Sequence, residues 1–162
     1  SDEIISQTLG LSNTVSDYEN TLKFLTGEGI PIVPHIIVGL NNGMLDGEVD
    51  AIEMVRKYDP DVVVIVVFIP TKGTAGADSQ HPAIKDVASV VAKARQSFPK
   101  TPLSLSCVRP GGRYRTHLDE CAILCGIDRI AVPSRSAYRL CGDIGLDIQE
   151  AGNMCCAYDP GY

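Results

Sequence analysis

Short apolar runs alternate with amphipathic segments along this chain, and that alternation constrains the fold more than any other feature. The clearest run, 62–69 (VVVIVVFI), is β-branched and almost unbroken, which is typical of a buried strand. Further strands are predicted over 30–38, 103–107 and 129–132. Strands separated by helices pair in parallel through right-handed crossovers. The sequence therefore predicts an α/β fold with about four parallel strands.

Five helices are predicted from apolar residues at helical spacing. The first is expected to begin at a capping box, Ser16 with Glu19, and to end at Gly27 and Gly29. The apolar stripes of the five helices are Tyr18, Leu22 and Leu25; Ala51, Ile52 and Val55; Val87, Val90, Val91, Ala94 and Phe98; Leu118, Cys121, Ala122 and Cys125; and Ala137, Leu140, Cys141 and Ile144.

Composition narrows the class of protein. A chain of 162 residues can form one domain, with 146–162 as a tail. The net charge of −6 argues against nucleic acid and anionic membranes as partners. No apolar run is long enough to span a bilayer, and the acidic N-terminus does not resemble a signal peptide. We therefore expect a cytoplasmic protein with reduced cysteines.

Two architectures are compatible with four βα units: a small doubly wound sheet, or half of a (β/α)8 barrel. The connections after the strands favour the half barrel. Each is polar or rich in glycine, and in a barrel all of them meet on the face where such enzymes keep their active sites. These connections are 39–43, 70–74, 109–113 and 133–134.

Four segments, in order, resemble the biotin-synthase-like branch of the radical S-adenosylmethionine (SAM) superfamily. The segment 32–42 (IVPHIIVGLNN) is similar to the fifth strand of the family's barrel, and 68–74 (FIPTKGT) to the sixth. The segment 105–112 (LSCVRPGG) is similar to the seventh strand, and 127–134 (IDRIAVPS) to the eighth. The resemblance thus implies the C-terminal half of a radical SAM barrel.

The resemblance also implies which residues bind SAM. In the family, a G-x-I-x-G-x-x-E type motif on the fifth strand lies against the cofactor. Here His35 stands at the first glycine position and Asn42 at that of the acid. The expected SAM-binding residues are Ile37, Gly39, Asn41, Asn42, Lys72, Gly73 and Thr74.

The family's cluster-binding motif, C-x-x-x-C-x-x-C, does not occur in this sequence. The only C-x-x-x-C is Cys121 with Cys125, inside a predicted helix. The resemblance therefore implies a half that binds SAM and substrate but cannot form the 5′-deoxyadenosyl radical alone. A [4Fe–4S] cluster is expected only in a full-length or partnered enzyme.

The loop Arg109-Pro-Gly-Gly-Arg113-Tyr-Arg115 predicts an anion site, because guanidinium groups bind carboxylate and phosphate through two parallel hydrogen bonds. Ser134, after the last strand, is expected to join this site. The alternative is a turn whose arginines pair with Asp119 and Glu120.

Cysteine and histidine residues give weaker signals. Cys155 and Cys156 are predicted metal ligands or redox thiols, with simple packing as the alternative. Cys121 and Cys125 are expected to be core residues rather than ligands beside His117. His35 is either an interior histidine or a polar group at the mouth of a barrel.

An open half barrel leaves unpaired strand edges, which invite pairing with another chain. We therefore expect a homo-oligomer or a complementary half-barrel chain as the partner, besides a small-molecule ligand. The alternative function is a complete, non-catalytic α/β module that binds a nucleotide or phosphate ligand.

Overall fold

The computed structural model describes residues 1–152, so the predicted ligands Cys155 and Cys156 lie outside the described residues. The described chain has an α/β fold with four parallel strands, as the sequence predicts, and six helices rather than the predicted five. The strands are β1 (His35–Val38), β2 (Val63–Val67), β3 (Leu103–Leu105) and β4 (Arg129–Ile130). The helices are α1 (Asp2–Leu9), α2 (Val15–Gly27), α3 (Glu48–Arg56), α4 (Ile84–Ser97), α5 (Gly112–Leu124) and α6 (Arg135–Asp143).

All four strands are parallel, and they lie side by side in chain order, β1-β2-β3-β4. Ile37 pairs with Val66, Val64 pairs with Ser104, and Ser104 pairs with Arg129. Because the order never reverses, the described sheet has no topological switch point of the kind found in doubly wound folds.

The two faces of the sheet differ in what covers them. One face packs against α3, α4 and α5 in a single apolar core, which includes Ile36, Ile65 and Leu105 from the strands and Ile52, Val87, Val91 and Leu118 from the helices. Successive side chains of a strand point to opposite faces. His35, Ile37, Val66, Ser104 and Arg129 therefore belong to the other face, which we call the open face.

The first strand is shorter than predicted. Residues 30–34 are not β-strand, and the strand begins at His35. Pro31 and Pro34 lack the amide hydrogen that a ladder needs, and the Ile32 amide donates to Asp61 Oδ2 at 2.7 Å. Nor is the strand buried on both faces as expected, because His35 is exposed.

The predicted capping box at Ser16 is wrong. Thr14 caps α2 instead, and Asp17 completes the box, with its carboxylate 2.8 Å from the Thr14 amide. Glu19 instead reaches the Lys57 ammonium at 2.9 Å, just beyond α3. The sequence did not predict α1, whose N-cap is Ser1. Within residues 1–152, every helix is too short or too polar to cross a membrane.

Candidate functional site

The open face forms the floor of a wide groove with a volume of about 1390 Å³. Ile37 and Val66 supply an apolar part of the floor, and Ser104 and Ser106 supply a polar part. Residues of α6 and of the segment 146–151 also line the groove. A concave surface of this volume can hold a small ligand.

Ser104 is the most unusual residue of the groove. Its side chain is fully buried, yet its hydroxyl has no hydrogen-bond partner among the described residues. Its neighbour Ser106 differs, because the Ser106 hydroxyl accepts a bond from the Val108 amide at 3.1 Å. A buried polar group without a partner is rare in folded proteins, since it has lost its water without replacement.

Charged groups of both signs line the groove. Lys100 and Arg129 are the cations, and Asp147 and Glu150 are among the acids. The Glu150 carboxylate accepts a bond from the Tyr138 hydroxyl at 3.2 Å. Asp128 also lines the groove, but its carboxylate pairs with Arg95 and accepts from the Leu103 amide. The lining cations thus come from the β3 and β4 region of the chain, and the acids Asp147 and Glu150 come from the segment after α6.

Of the residues expected to bind SAM, Ile37 lines the groove and the glycine-rich loop after β1 does not. In that loop Asn41 donates to Asp46 at 3.1 Å, and Asn42 accepts from the Ser79 hydroxyl at 2.8 Å. The Gly39 amide donates to the buried carboxylate of Glu48 at 2.8 Å. The polar groups of the loop are thus used to fold the loop and to join it to the next one.

The glycines of this loop have a structural reason. Gly39 has φ of +81°, and a Cβ there would lie 2.8 Å from the Pro82 ring. A Cβ at Gly43 would lie 2.3 Å from the carbonyl oxygen of Gln80. Glycine is therefore required where the β1 and β2 connections touch. Tyr114 on α5 fixes the same contact, because its hydroxyl donates to the Pro82 carbonyl at 2.7 Å.

Burial at this junction raises the pKa of Tyr114 to about 12, so its hydroxyl stays a donor at any ordinary pH. The second part of the expected SAM set lies in the β2 connection away from the groove. Lys72, Gly73 and Thr74 are all exposed, and the Thr74 hydroxyl donates to the Thr71 carbonyl at 2.7 Å. None of the three lines the groove.

Arg109, expected to bind an anion, is 1% exposed and is held by protein groups. Its Nε donates to Asp119 Oδ1 at 2.9 Å, and Nη1 donates to the Ser106 and Ala131 carbonyls. Nη2 donates to the Val132 carbonyl at 3.1 Å. Burial lowers the pKa of Arg109, and the Asp119 carboxylate opposes that shift. Anion binding by Arg109 would therefore require this network to open.

The other members of the expected anion site do not line the groove. Arg113 is exposed in the first turn of α5, whose N-cap Gly111 offers no side-chain hydrogen bond. Arg115 Nη2 donates to the Cys107 and Arg109 carbonyls, and its buried Nε has no described partner.

Ser134 caps α6 by accepting from the Ala137 amide at 3.3 Å. Its own amide donates to Asp119 Oδ2 at 2.8 Å.

The four cysteines of residues 1–152 carry no metal site. Cys107 is exposed at the groove, while Cys121, Cys125 and Cys141 lie on α5 or α6 or at their ends. Burial raises the pKa of the Cys125 thiol, which keeps it protonated. Over residues 1–152, no three histidine, cysteine or acidic side chains come together as metal ligands. His35 is exposed at the groove, with Nδ1 2.9 Å from the Val33 carbonyl.

Sequence reasoning missed Ser104 and Arg129, the polar pair of the open face. A signal was present, because Ser104 and Ser106 alternate with Leu103 and Leu105, and period-2 alternation in a strand marks one polar face. Comparison with other proteins adds no assignment: no family model matches the chain, and no curated protein matches it significantly.

Proposed function

We propose that the chain is half of a (β/α)8-type barrel of the biotin-synthase-like radical SAM kind, which binds SAM and a small substrate on its open face. The observation that carries the proposal is the sheet order. Four parallel strands in chain order, with α3, α4 and α5 on one face only, are the arrangement of consecutive units in such a barrel. A doubly wound sheet would carry helices on both faces.

The groove has the size and the mixed polarity that SAM requires. Ile37 and Val66 would lie against the adenine ring, and the polar floor at Ser104 and Ser106 would meet the ribose or amino-acid end. When bound, SAM supplies an electrophilic sulfonium whose bond to the 5′ carbon can be cleaved reductively. The residues of this chain bind and orient the ligand and exclude water from the apolar part of the floor.

The described residues do not fit an iron–sulfur cluster. Such a cluster needs several thiolates at one place, and Cys107, Cys121, Cys125 and Cys141 do not converge. The loop that would hold such a cluster is therefore assigned to a separate half.

Equilibrium dialysis with radiolabelled SAM tests the proposal on the chain as it stands. We expect saturable binding that Ile37→Arg reduces at least about tenfold, because a charge placed on the apolar floor must be desolvated by the ligand. Val49→Arg is the matched control, since Val49 is an exposed residue of α3 on the other side of the sheet. Absence of saturable binding, or equal loss in both variants, would contradict the proposal.

A second candidate function, a non-catalytic module for phosphate ligands, has one observation in its favour. The first turn of α5 has no side-chain cap and no acidic residue, and it carries Arg113. Helix N-termini of this kind attract phosphate groups. ADP that binds in the same dialysis, and is lost on Arg113→Gln while SAM does not bind, would favour this function.

A further inference from the structure

We propose that the chain associates head to tail, with α6 of one copy packed against α2 of the next copy, at the β1 end of the sheet. The inference goes beyond the proposed function, because it assigns an interaction surface and its partner, a second copy of this chain. It depends on surface charge and exposed apolar side chains, and not on the binding of SAM.

The charges of the chain are divided between the two ends of the sheet. Residues 1–57, which include α1, α2, β1 and α3, carry nine acids and three lysines or arginines. Residues 100–143, which include β3, α5, β4 and α6, carry four acids and seven lysines or arginines. The strand order β1-β2-β3-β4 places the first group at one end of the sheet and the second at the other. The protein therefore has an acidic end and a basic end.

At the acidic end, α2 has an outer face that the described chain leaves uncovered. None of the 13 residues of α2 is buried, although most of the stability of a helix in a protein comes from packing. Phe24 is 64% exposed. Asp17 precedes it by two turns and Glu28 follows it by one turn, so both acids lie on the same face as the Phe24 ring. This outer face is thus an aromatic ring between two carboxylates.

At the basic end, α6 presents the complementary pattern. Arg135 and Arg139 lie one turn apart on the same face, and both are exposed. Neither guanidinium has a hydrogen bond or an ion pair among the described residues. Tyr138, which lies beside Arg139 on this face, is 40% exposed. The outer face of α6 is thus an aromatic ring beside two cations.

The charges favour contact between α2 and α6 over a symmetric contact. If two copies met through their α2 faces, Asp17 and Glu28 of one copy would approach the same acids of the other, and like charges across an interface repel. Against α6, the same carboxylates meet guanidinium groups, and a guanidinium can also stack on the Phe24 ring. Because the two surfaces differ, the contact is heterologous and leaves one surface of each copy free.

Light scattering on the unmodified chain is the first test. We expect a mass above the 17.4 kDa of one chain, and a fall towards that mass as salt is added. The reason is that the screening length shortens from about 10 Å at about 0.1 M salt to about 3 Å at about 1 M. A mass of one chain at the lower salt concentration, or association that salt does not weaken, would overturn the inference.

Two double variants alter the two surfaces separately. Arg135→Glu with Arg139→Glu changes α6, and Phe24→Lys with Glu28→Lys changes α2. Each should weaken self-association at least about tenfold, because each places like charges across the contact. All four side chains are exposed, so the melting temperatures should change little. Association of either variant as strong as that of the unmodified chain would count against the contact.

The matched control is Lys72→Glu with Lys85→Glu. It reverses as many charges as the α6 variant does, at exposed positions in the β2 connection and on α4. The control should associate like the unmodified chain. A loss of association as large as that of the α6 variant would show that net charge alone governs the result, and would overturn the inference.

Mixing the two double variants tests the head-to-tail arrangement itself. The α6 variant keeps an intact α2, and the α2 variant keeps an intact α6. An equimolar mixture should therefore form a complex of two chains, although neither variant associates alone. A mixture that stays at the mass of one chain would overturn the inference. SAM dialysis on the unmodified chain is a separate measurement, so loss of SAM binding would remove the proposed function and leave this contact standing.

Discussion

At the scale of single residues, Arg109 joins three parts of the chain. Its guanidinium lies between the end of β3, the carbonyls after β4 and Asp119 of α5, and Asp119 in turn accepts the amide of Ser134 before α6. Both charged side chains are fully buried. A buried ion pair gives little net stability, but removing one partner leaves the other charge uncompensated.

Asp119→Ala should therefore destabilise the protein by about 3–5 kcal/mol, since Arg109 would remain charged in the interior. The free energy of unfolding, measured by urea denaturation, checks this. Asp78→Ala is the control, because Asp78 is exposed in the β2 connection and should change that free energy by less than about 0.5 kcal/mol. Similar losses in both variants would show that Arg109 and Asp119 are not coupled in this way.

At the scale of elements, the strands and helices were predictable where one local signal was strong. β2 is an unbroken β-branched run and was predicted within two residues of its observed bounds, and the apolar stripe of α4 correctly predicted a helix there. The start of α2 was misplaced because Thr14 with Asp17 and Ser16 with Glu19 are both plausible capping pairs. Which pair caps the helix depends on tertiary contacts, since the Glu19 carboxylate accepts hydrogen bonds from Lys57 and Tyr58.

The candidate site was less predictable for the same reason. The motif residues Gly39, Asn42 and Arg109 turned out to hold loops and strands together, and local sequence cannot distinguish that role from ligand binding. The groove depends on register: Ser104 faces Arg129 only because β3 and β4 pair at that position. Register is a long-range property, which a single sequence without relatives does not reveal.

The contact between α2 and the end of α3 should depend on pH. Lys57 lowers the pKa of the Glu19 carboxyl below its ordinary value of 4.5 by hydrogen bonding and charge. A group with a lowered folded-state pKa stabilises the protein above its unfolded pKa, and the contribution disappears as the pH falls through the folded-state value. Glu19→Gln should thus lower the melting temperature slightly at pH 7 and by less at pH 3, which lies below the ordinary pKa of the carboxyl.

Glu120→Gln serves as the control for that measurement. Glu120 lies on α5, and no ion pair to it occurs within residues 1–152. Its melting temperature should follow that of the unmodified protein at both values of pH. A difference between the Glu19→Gln variant and the unmodified protein that was as large at pH 3 as at pH 7 would rule out the ion pair as its cause.

At the scale of the whole molecule, the outer edge of β1 has no partner strand in the described residues. The Val64 and Phe68 amides bond to the Pro34 and Val38 carbonyls, so His35 and Ile37 turn their own backbone groups outward. We expect the isolated chain to self-associate through this edge, with a light-scattering mass above the 17.4 kDa of one chain.

Ile37→Pro tests the role of that edge. It removes the outward amide hydrogen without breaking a bond to β2, so it should return the mass to that of one chain. Ile37→Val keeps the amide and should continue to associate. A monomeric unmodified chain, or association that survives in Ile37→Pro, would contradict pairing through β1 and weaken the half-barrel proposal.

The strand β4 has only two residues, so its ladder alone gives it little hold on the sheet. Arg109 and Asp119 also hold β4 in place. Arg109 donates to the two carbonyls just after β4, and Asp119 accepts from the amide just before α6. Structural units that share one internal tie tend to open together rather than residue by residue. The backbone amides of β4 and of the first turn of α6 should then exchange with deuterium as one cooperative group, on a timescale set by a single salt bridge. Since residues of β4 and α6 also line the groove, a ligand bound there should slow the exchange of this whole group.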